Sequence, residues 1–401
     1  MQRMRLWTNA RIRSLFCAGM AAGCAAAWAQ EQKPETPAPP ASPTLQAPAV
    51  QAPISRDRIE RLARGVNLNG WFGAGNLDSS RFANYLTDAE IGRIQSAGFR
   101  HVRLPIDPIL LFDEHNPQTL RTDALPAIDA AIRRLTDKGL AVILACYPSE
   151  DFADRLTAEP AFAEAFEVFW AAQAEHWNST PAALVYFELL SEPTFPDPAA
   201  WNELLAKLVR SVRAKAPEHT LILTPSVFDS RGIADMTRSL TETTPTTDRN
   251  AVYSWHFYQP MVFTQQGSER LKRYQALREV PYPSTPERVA SLVDKLPAND
   301  AKRRIKEYGD ERWDAERIRS TIAPVARWAR EHNTTVIASE IGVSNKASPV
   351  SRRRYLQDLR KTLEDAGIGW SVWAYTDAFG ITERGADGRA VDPEIAPALG
   401  L

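Results

Sequence analysis

The chain of 401 residues has only three cysteines, and two of them, Cys17 and Cys24, fall within its first 29 residues. Cleavage after residue 29 would leave Cys146 alone, so no internal disulfide can form and stability has to come from a large core. Histidine is scarce as well: there are six, with no His-x-His pair, which disfavours a barrel metallohydrolase. A Gly-x-Ser-x-Gly elbow is missing, which removes the usual serine hydrolase. An early glycine-rich phosphate turn is missing too, which argues against an open dinucleotide-binding sheet. Nor is there a basic excess. The net charge is -1, and near -5 once Arg3, Arg5, Arg11 and Arg13 are set aside, a balance that argues against nucleic acid as a partner.

Those four arginines precede an apolar stretch from Leu15 to Trp28 that is too short to span a bilayer and closes on Ala27-Trp28-Ala29. This is the pattern of a signal peptide over residues 1–29. The expectation is an exported protein, periplasmic or extracellular, with no membrane span. A lipid anchor at Cys24 is the weaker reading, because Ala21 stands where a lipoprotein box usually carries leucine. Residues 30–53 are dominated by proline, alanine and glutamine, a composition that favours an extended linker. The folded domain is therefore expected over residues 54–401.

Beyond the linker, short apolar runs alternate with amphipathic helical stretches, the pattern of repeated βα units. Strands are expected at Gly65 to Leu68, His101 to Ile106, Ala141 to Tyr147, Leu184 to Glu192, Leu221 to Pro225, Val252 to Tyr258, Val336 to Ile341 and Gly369 to Tyr375. Helices are expected at Asp88 to Ala97, Asp123 to Lys138, Ala161 to Trp177, Ala199 to Ala214, Glu316 to Glu331 and Ser351 to Ala366. Gly98, Gly139 and Gly367 follow three of them, where a left-handed terminating residue is needed. Eight strands with intervening helices point to a single (β/α)8 barrel. The long interruption from Gln259 to about Asp310 reads as a lid or cleft wall on the catalytic face. Arg270, Lys272, Arg273, Arg278, Lys302, Arg303, Arg304 and Lys306 within it read first as solvated helix faces and second as a surface for an anionic polymer.

In such a barrel the residues that end the strands converge on one mouth. They include Arg103, Tyr147, Glu192, His256, Tyr258, Glu340 and Trp373. An ionised carboxylate in an apolar strand is costly unless it is paired or open to solvent. Glu192 is expected at the rim, held extended by Pro193. Glu188 lies deeper, and reads as a structural acid paired with an arginine. Two rim carboxylates on separate strands form the constellation of glycoside hydrolysis, one protonating the leaving oxygen while the other attacks the anomeric carbon or activates water. Trp71 and Trp373 are the tryptophans expected in the cleft, whereas Trp170, Trp177 and Trp201 read as helix packing.

Taken in order, Gly65-Val66-Asn67, Val102-Arg103-Leu104-Pro105, Phe187-Glu188-Leu189-Leu190-Ser191-Glu192-Pro193, His256-Phe257-Tyr258, Ser339-Glu340 and Trp373 resemble glycoside hydrolase family 5, the cellulase family. The resemblance implies a retaining (β/α)8 barrel without cofactor or metal. It makes Glu192 the acid/base and Glu340 the nucleophile, with Arg103 and Tyr258 orienting the nucleophile. Asn67, Trp71, Tyr147, Ser191, His256 and Trp373 become the remaining substrate-binding positions, Trp373 as the platform under the sugar. Two departures stand out: Ser191 replaces the asparagine that usually precedes the acid/base, and Tyr147 lies where a histidine is usual near the end of strand three.

The expectation is thus an exported retaining β-glycosidase acting on a polysaccharide or oligosaccharide, a β-linked glucan or a bacterial exopolysaccharide. Two rivals use the same residues: a non-catalytic polysaccharide-binding barrel, and a transglycosidase that passes the sugar to a hydroxyl instead of water.

Overall fold

A computed structural model of the protein describes residues 52–73, 79–227, 236–297 and 299–401. The leader and the spacer up to residue 51 lie outside the described residues. Eight parallel strands close into a barrel in chain order, with the eighth pairing back to the first. They are β1 Arg64–Asn67, β2 His101–Ile106, β3 Ala141–Cys146, β4 Val185–Glu188, β5 Thr220–Leu223, β6 Ala251–Phe257, β7 Thr335–Ile341 and β8 Gly369–Val372. The (β/α)8 barrel expected from the alternating pattern is the fold observed.

Both faces of these strands are covered, which is why they read as apolar runs rather than alternating ones. One set of side chains, Ala141, Ile143, Ala145, Tyr186, Ile222, Val252 and Ile337, fills the barrel interior together with Leu62 from below. The alternate set, including Val142, Leu144, Val185, Phe187 and Leu221, packs outward against the helices. The helices start where their caps dictate. Thr87 forms a capping box with Glu90 before the helix Asp88–Ser96, and Ser149, Asp197, Asp314 and Ser348 accept from first-turn amides of four others. Gly98, Gly139 and Gly367 all have positive φ.

Tryptophans on the helix shell pin the strand ends. Trp170 donates to the Leu189 carbonyl at 3.0 Å and Trp201 to the Thr224 carbonyl at 2.9 Å, so these residues are core, as expected, and also hold the rim in place. The barrel floor needs a glycine. A Cβ on Gly65 would strike the His101 ring, which lies across the strand and bonds to Ser371 Oγ at 2.6 Å. Elements outside the expectation include the helix Arg56–Arg61 under the barrel, the helices Ser79–Asn84 and Glu150–Ala158, and the hairpin of Thr382–Gly385 with Gly388–Val391. No helix among the described residues is long and apolar enough to cross a membrane. Cys146 is free and buried.

Candidate active site

The site is assembled around the guanidinium of Arg103, which is fully buried in β2. An arginine presents five N–H donors, and each has a partner here. Nε and Nη2 grip the two oxygens of Glu188 at 2.6 and 2.7 Å; Nη1 donates to Glu340 Oε1 at 2.6 Å and Asn67 Oδ1 at 3.0 Å; Nη2 also donates to Ser191 Oγ at 2.8 Å. Glu188 is thus the structural acid expected from its depth in the strand. Ser191, buried and already accepting from Arg103, completes this cradle and does not line the cleft.

Glu340 reaches its place through a bulge. Trp255 pairs with Ala338, but His256 pairs with Glu340, so Ser339 is an extra residue in β7. Bulges of this kind re-aim the next side chain. The Ser339 carbonyl accepts from Asn67 Nδ2 at 3.0 Å, and the Ser339 hydroxyl meets that of Ser254 at 2.6 Å. Asn67, expected to touch substrate, is fully buried and fastens this bulge to Arg103. The second oxygen of Glu340 accepts from the Tyr258 hydroxyl at 3.0 Å. Burial and the Glu340 and Glu192 carboxylates raise the Tyr258 pKa well above its ordinary value, which keeps it a donor.

Glu192 departs from expectation in its backbone. β4 ends at Glu188, and Glu192 has φ +48°, left-handed rather than extended. Proline at 193 disfavours the right-handed helical region for Glu192. The extended alternative is overridden because the Ser191 amide is tied to the Cys146 carbonyl at 2.8 Å and the Pro193 carbonyl to the Val227 amide at 2.7 Å. A non-glycine residue in this region costs about 1–2 kcal/mol. The turn brings Glu192 Oε1 to 2.8 Å from His256 Nδ1, with Glu340 Oε2 at 3.6 Å from the same nitrogen. Burial pushes the Glu192 carboxyl up, but the hydrogen bond and charge of His256, with help from Arg270 and Arg103, leave it below its usual value. Burial pushes His256 down, but Glu340 and Glu192 outweigh it and leave it raised. Each partner thus favours the charged form of the other.

One oxygen of Glu192, one of Glu340 and a ring nitrogen of His256 lie within 4.8 Å of one another. Among the described residues, this trio is the group with the spacing of metal ligands. Its donors are already engaged by Arg103, Tyr258 and each other, and the adjacent guanidinium opposes a cation, so the set suits a hydrogen-bonded pair of acids better than an ion. These carboxylates open into a cleft of about 370 Å³, walled by Tyr147, Tyr258, Arg270, Lys346, Trp373 and Phe379 among others. Tyr147 stacks on Trp373 with ring centroids 5.7 Å apart and faces the Arg103 guanidinium at 5.9 Å. The segment from Gln265 to Leu271 forms one wall, which matches the expected role of the long interruption. Its second half is two helices, Pro286–Lys295 and Asp300–Glu311, where Arg303 and Arg304 pair with Asp300 on a solvated face.

Trp71 is not in the cleft. It is 1% exposed, stacked between Phe72 and Tyr85, and its Nε1 donates to the Phe82 carbonyl. A position just after a strand does not say which way an indole turns, and here the apolar neighbours claim it. His256 is likewise buried behind the two acids rather than on the cleft wall. Sequence reasoning missed Lys346, Asp377 and Phe379, and left Arg270 on a solvated face. These residues sit on loops after the strands, where no periodic pattern marks orientation.

Comparison with known proteins gives a consistent picture. The sequence matches the family described as Cellulase (glycosyl hydrolase family 5) over residues 64–379. It is 27% identical over 321 residues to Endoglucanase C of Acetivibrio thermocellus, covering 78% of this chain and 90% of that one. It is 25% identical over 356 residues to Endoglucanase 3 of Fibrobacter succinogenes, covering 84% of this chain and 53% of that protein, so the chain spans about half of that relative. Among solved structures, endoglucanase Cel5A of Thermotoga maritima aligns with a TM-score of 0.68 at 21% identity, over 86% of this chain and 99% of that one. Cel5A has been solved in complex with cellobiose and with mannotriose. At this identity the likeness is one of fold.

Proposed function

Because the chain belongs to the cellulase family, glycosyl hydrolase family 5, we propose that it is a retaining β-glycosidase. It cuts within a β-linked glucan or a related bacterial exopolysaccharide, after export to the periplasm or the medium. The observation that carries this reading is the approach of Glu192 and Glu340 to within 4.8 Å, oxygen to oxygen. Retaining enzymes hold their two carboxyl groups roughly 5–5.5 Å apart, whereas inverting enzymes leave roughly 6.5–9.5 Å for a water. Support for export comes from the arginine-flanked apolar leader, and support for a β-glucan from the endoglucanase relatives.

In this scheme Glu340 attacks the anomeric carbon while the glycosidic C–O bond breaks and the leaving oxygen takes a proton from Glu192. Arg103 and Tyr258 hold one oxygen of Glu340 each, so the attacking carboxylate is fixed before substrate arrives. Water then gives a proton to Glu192 and attacks the same carbon, which releases Glu340 and restores the configuration. Because His256 favours the ionised form of Glu192, bound substrate has to offset that field before the first step. Excluding water from the cleft favours the neutral acid in the same direction.

His256→Asn tests that pairing. It removes the histidine whose hydrogen bond and charge hold the Glu192 carboxyl down, so burial dominates and the carboxyl retains its proton to higher pH. The alkaline limb of kcat/KM is expected to move upward, while kcat falls by about 10²-fold as Glu192 loses its orienting partner. A limb that stays in place or moves to lower pH would show that His256 does not set this protonation.

The reading as a whole is tested by incubating the purified protein with β-glucans, a β-mannan and acidic exopolysaccharides, scoring new reducing ends and following product configuration by NMR. Mannan belongs in the panel because the Thermotoga fold neighbour was solved with mannotriose. Early products of retained configuration are expected. Inverted products would sink the double displacement, and polymer binding without cleavage would favour the binding-protein alternative.

A further inference from the structure

Elsewhere in the molecule, arginines near the core are satisfied. Arg213 pairs with Asp248 at 2.6 Å, and Arg352 donates to the carbonyls of Val343, Phe379 and Gly380. The larger surface depression of about 520 Å³ beside the helix Pro349–Asp365 is equally neutralised, with Arg353 on Glu394 at 3.0 Å and Arg354 near Asp358 at 4.0 Å. The cleft is different. Arg270 makes no hydrogen bond and no ion pair within 4.0 Å among the described residues, and the Lys346 ammonium makes none either. Besides Glu192 and Glu340, two acids share the cleft wall. Asp377 is engaged by the Asn69 amide and the Phe379 N–H, and Glu269 does not come within ion-pair distance of either cation.

Arg270 is exposed, yet it is set in place by a built turn. Gly267 has φ +74°, a Cβ there would meet Lys346 Cγ at 2.7 Å, and its amide bonds to the Tyr274 carbonyl at 2.9 Å. The Leu271 amide bonds to Ser268 Oγ at 3.0 Å. Arg270 lines the same cleft as Glu192 and Glu340. Burial in the cleft walls opposes its charge, but the field of Glu192, Tyr147, Glu150 and Glu340 outweighs it and raises the pKa.

We propose that Arg270 and Lys346 form an anion subsite for a carboxylate-bearing sugar, so that the preferred substrate is a β-linked polysaccharide containing uronic acid residues. The inference rests on the glycosidase reading and names its substrate class. A guanidinium fork matches a carboxylate bidentately, and Lys346 adds a second, point-like charge on the same cleft. Arg270 also contributes to holding the Glu192 carboxyl down. A bound carboxylate would offset that field, and so favour the protonated acid that the first step needs.

The test uses the full protein with β-1,4-gluco-oligosaccharides and the same oligosaccharides oxidised at C6 to uronates. The wild type is expected to favour the oxidised set by about tenfold in kcat/KM, in line with one charge-assisted contact. In Arg270→Gln and Lys346→Gln that ratio falls toward one, mainly through KM, and the wild-type KM for the oxidised set rises with added salt. A wild-type preference for neutral chains, or a ratio unchanged in both variants, overturns the inference while leaving the hydrolase reading standing. If neither set is cut, calorimetry on Glu340→Gln decides. Binding of the oxidised set that Arg270→Gln removes keeps the anion subsite although hydrolysis has failed, and no binding overturns the anion subsite, the hydrolase reading being decided by the polymer panel.

Discussion

Glu340→Ala is expected to lower kcat on the cleaved polymer by at least about 10⁴-fold with the fold intact, and added azide is expected to restore turnover with an α-glycosyl azide as product. The cavity left by the carboxylate lies on the face from which Glu340 would attack, so a small anion entering there displaces the leaving group once and inverts the configuration. Glu192→Ala should behave differently. Substrates with good leaving groups need little protonation and should still form the glycosyl-enzyme, and azide then intercepts it from the opposite face to give a β-glycosyl azide. Both side chains line the cleft, Glu340, itself almost fully buried, by way of the Ser339 bulge and Glu192 by way of its left-handed turn. Truncation at either position therefore opens space toward solvent instead of collapsing a core. Circular dichroism and the denaturation midpoint should stay near those of the wild type. If azide gives the same anomer with both variants, or rescues neither, the separate roles assigned to the two acids are wrong.

The barrel was legible because its signal is periodic and repeated. β3, for example, is apolar at every position from Ala141 to Cys146, the composition expected of a strand buried on both faces. Glu192 and Glu340 stood out for the complementary reason, that an acid at the end of such a run needs a partner or a use. What could not be read is how the chain turns once a strand ends. The extended Glu192 expected from Pro193 gave way to a left-handed residue because the Cys146 carbonyl binds the Ser191 amide before it and the Val227 amide binds the Pro193 carbonyl after it, contacts that span 45 and 34 residues of sequence. The bulge at Ser339 leaves no mark in Val336-Ile337-Ala338-Ser339-Glu340, since it exists only in the register with β6. Trp71 shows the same limit for side chains. Its indole is claimed by Phe72, Tyr85 and the Phe82 carbonyl, and its nearness to a strand end says nothing about that. Arg270, placed on a solvated face by composition, lies on the cleft because of the turn at Gly267.

Arg103→Leu is expected to destabilise the protein by about 3–5 kcal/mol and to reduce kcat by about 10²-fold or more. Glu188 is 0% exposed, and both of its oxygens are bonded by Arg103. Removing the guanidinium therefore leaves a charge with no solvent and no other cation. Much of the measured cost would be this orphaned carboxylate and not the worth of the pair, because two buried ions repay only part of their desolvation. The double variant Arg103→Leu/Glu188→Leu separates the two terms. Both side chains lie on the inner face of adjoining parts of the barrel, and replacing them together with apolar groups should recover most of the lost stability in urea or thermal unfolding. Activity should not return with it. Glu340 would still lack the 2.6 Å donor on Oε1, Asn67 would lose its bond to Arg103, and the bulged strand would be fixed by Tyr258 and the Ser339 contacts alone. A double variant as unstable as the single would mean that Glu188 is not the source of the penalty. One that regains kcat would mean that Arg103 holds the barrel together but does not position the nucleophile.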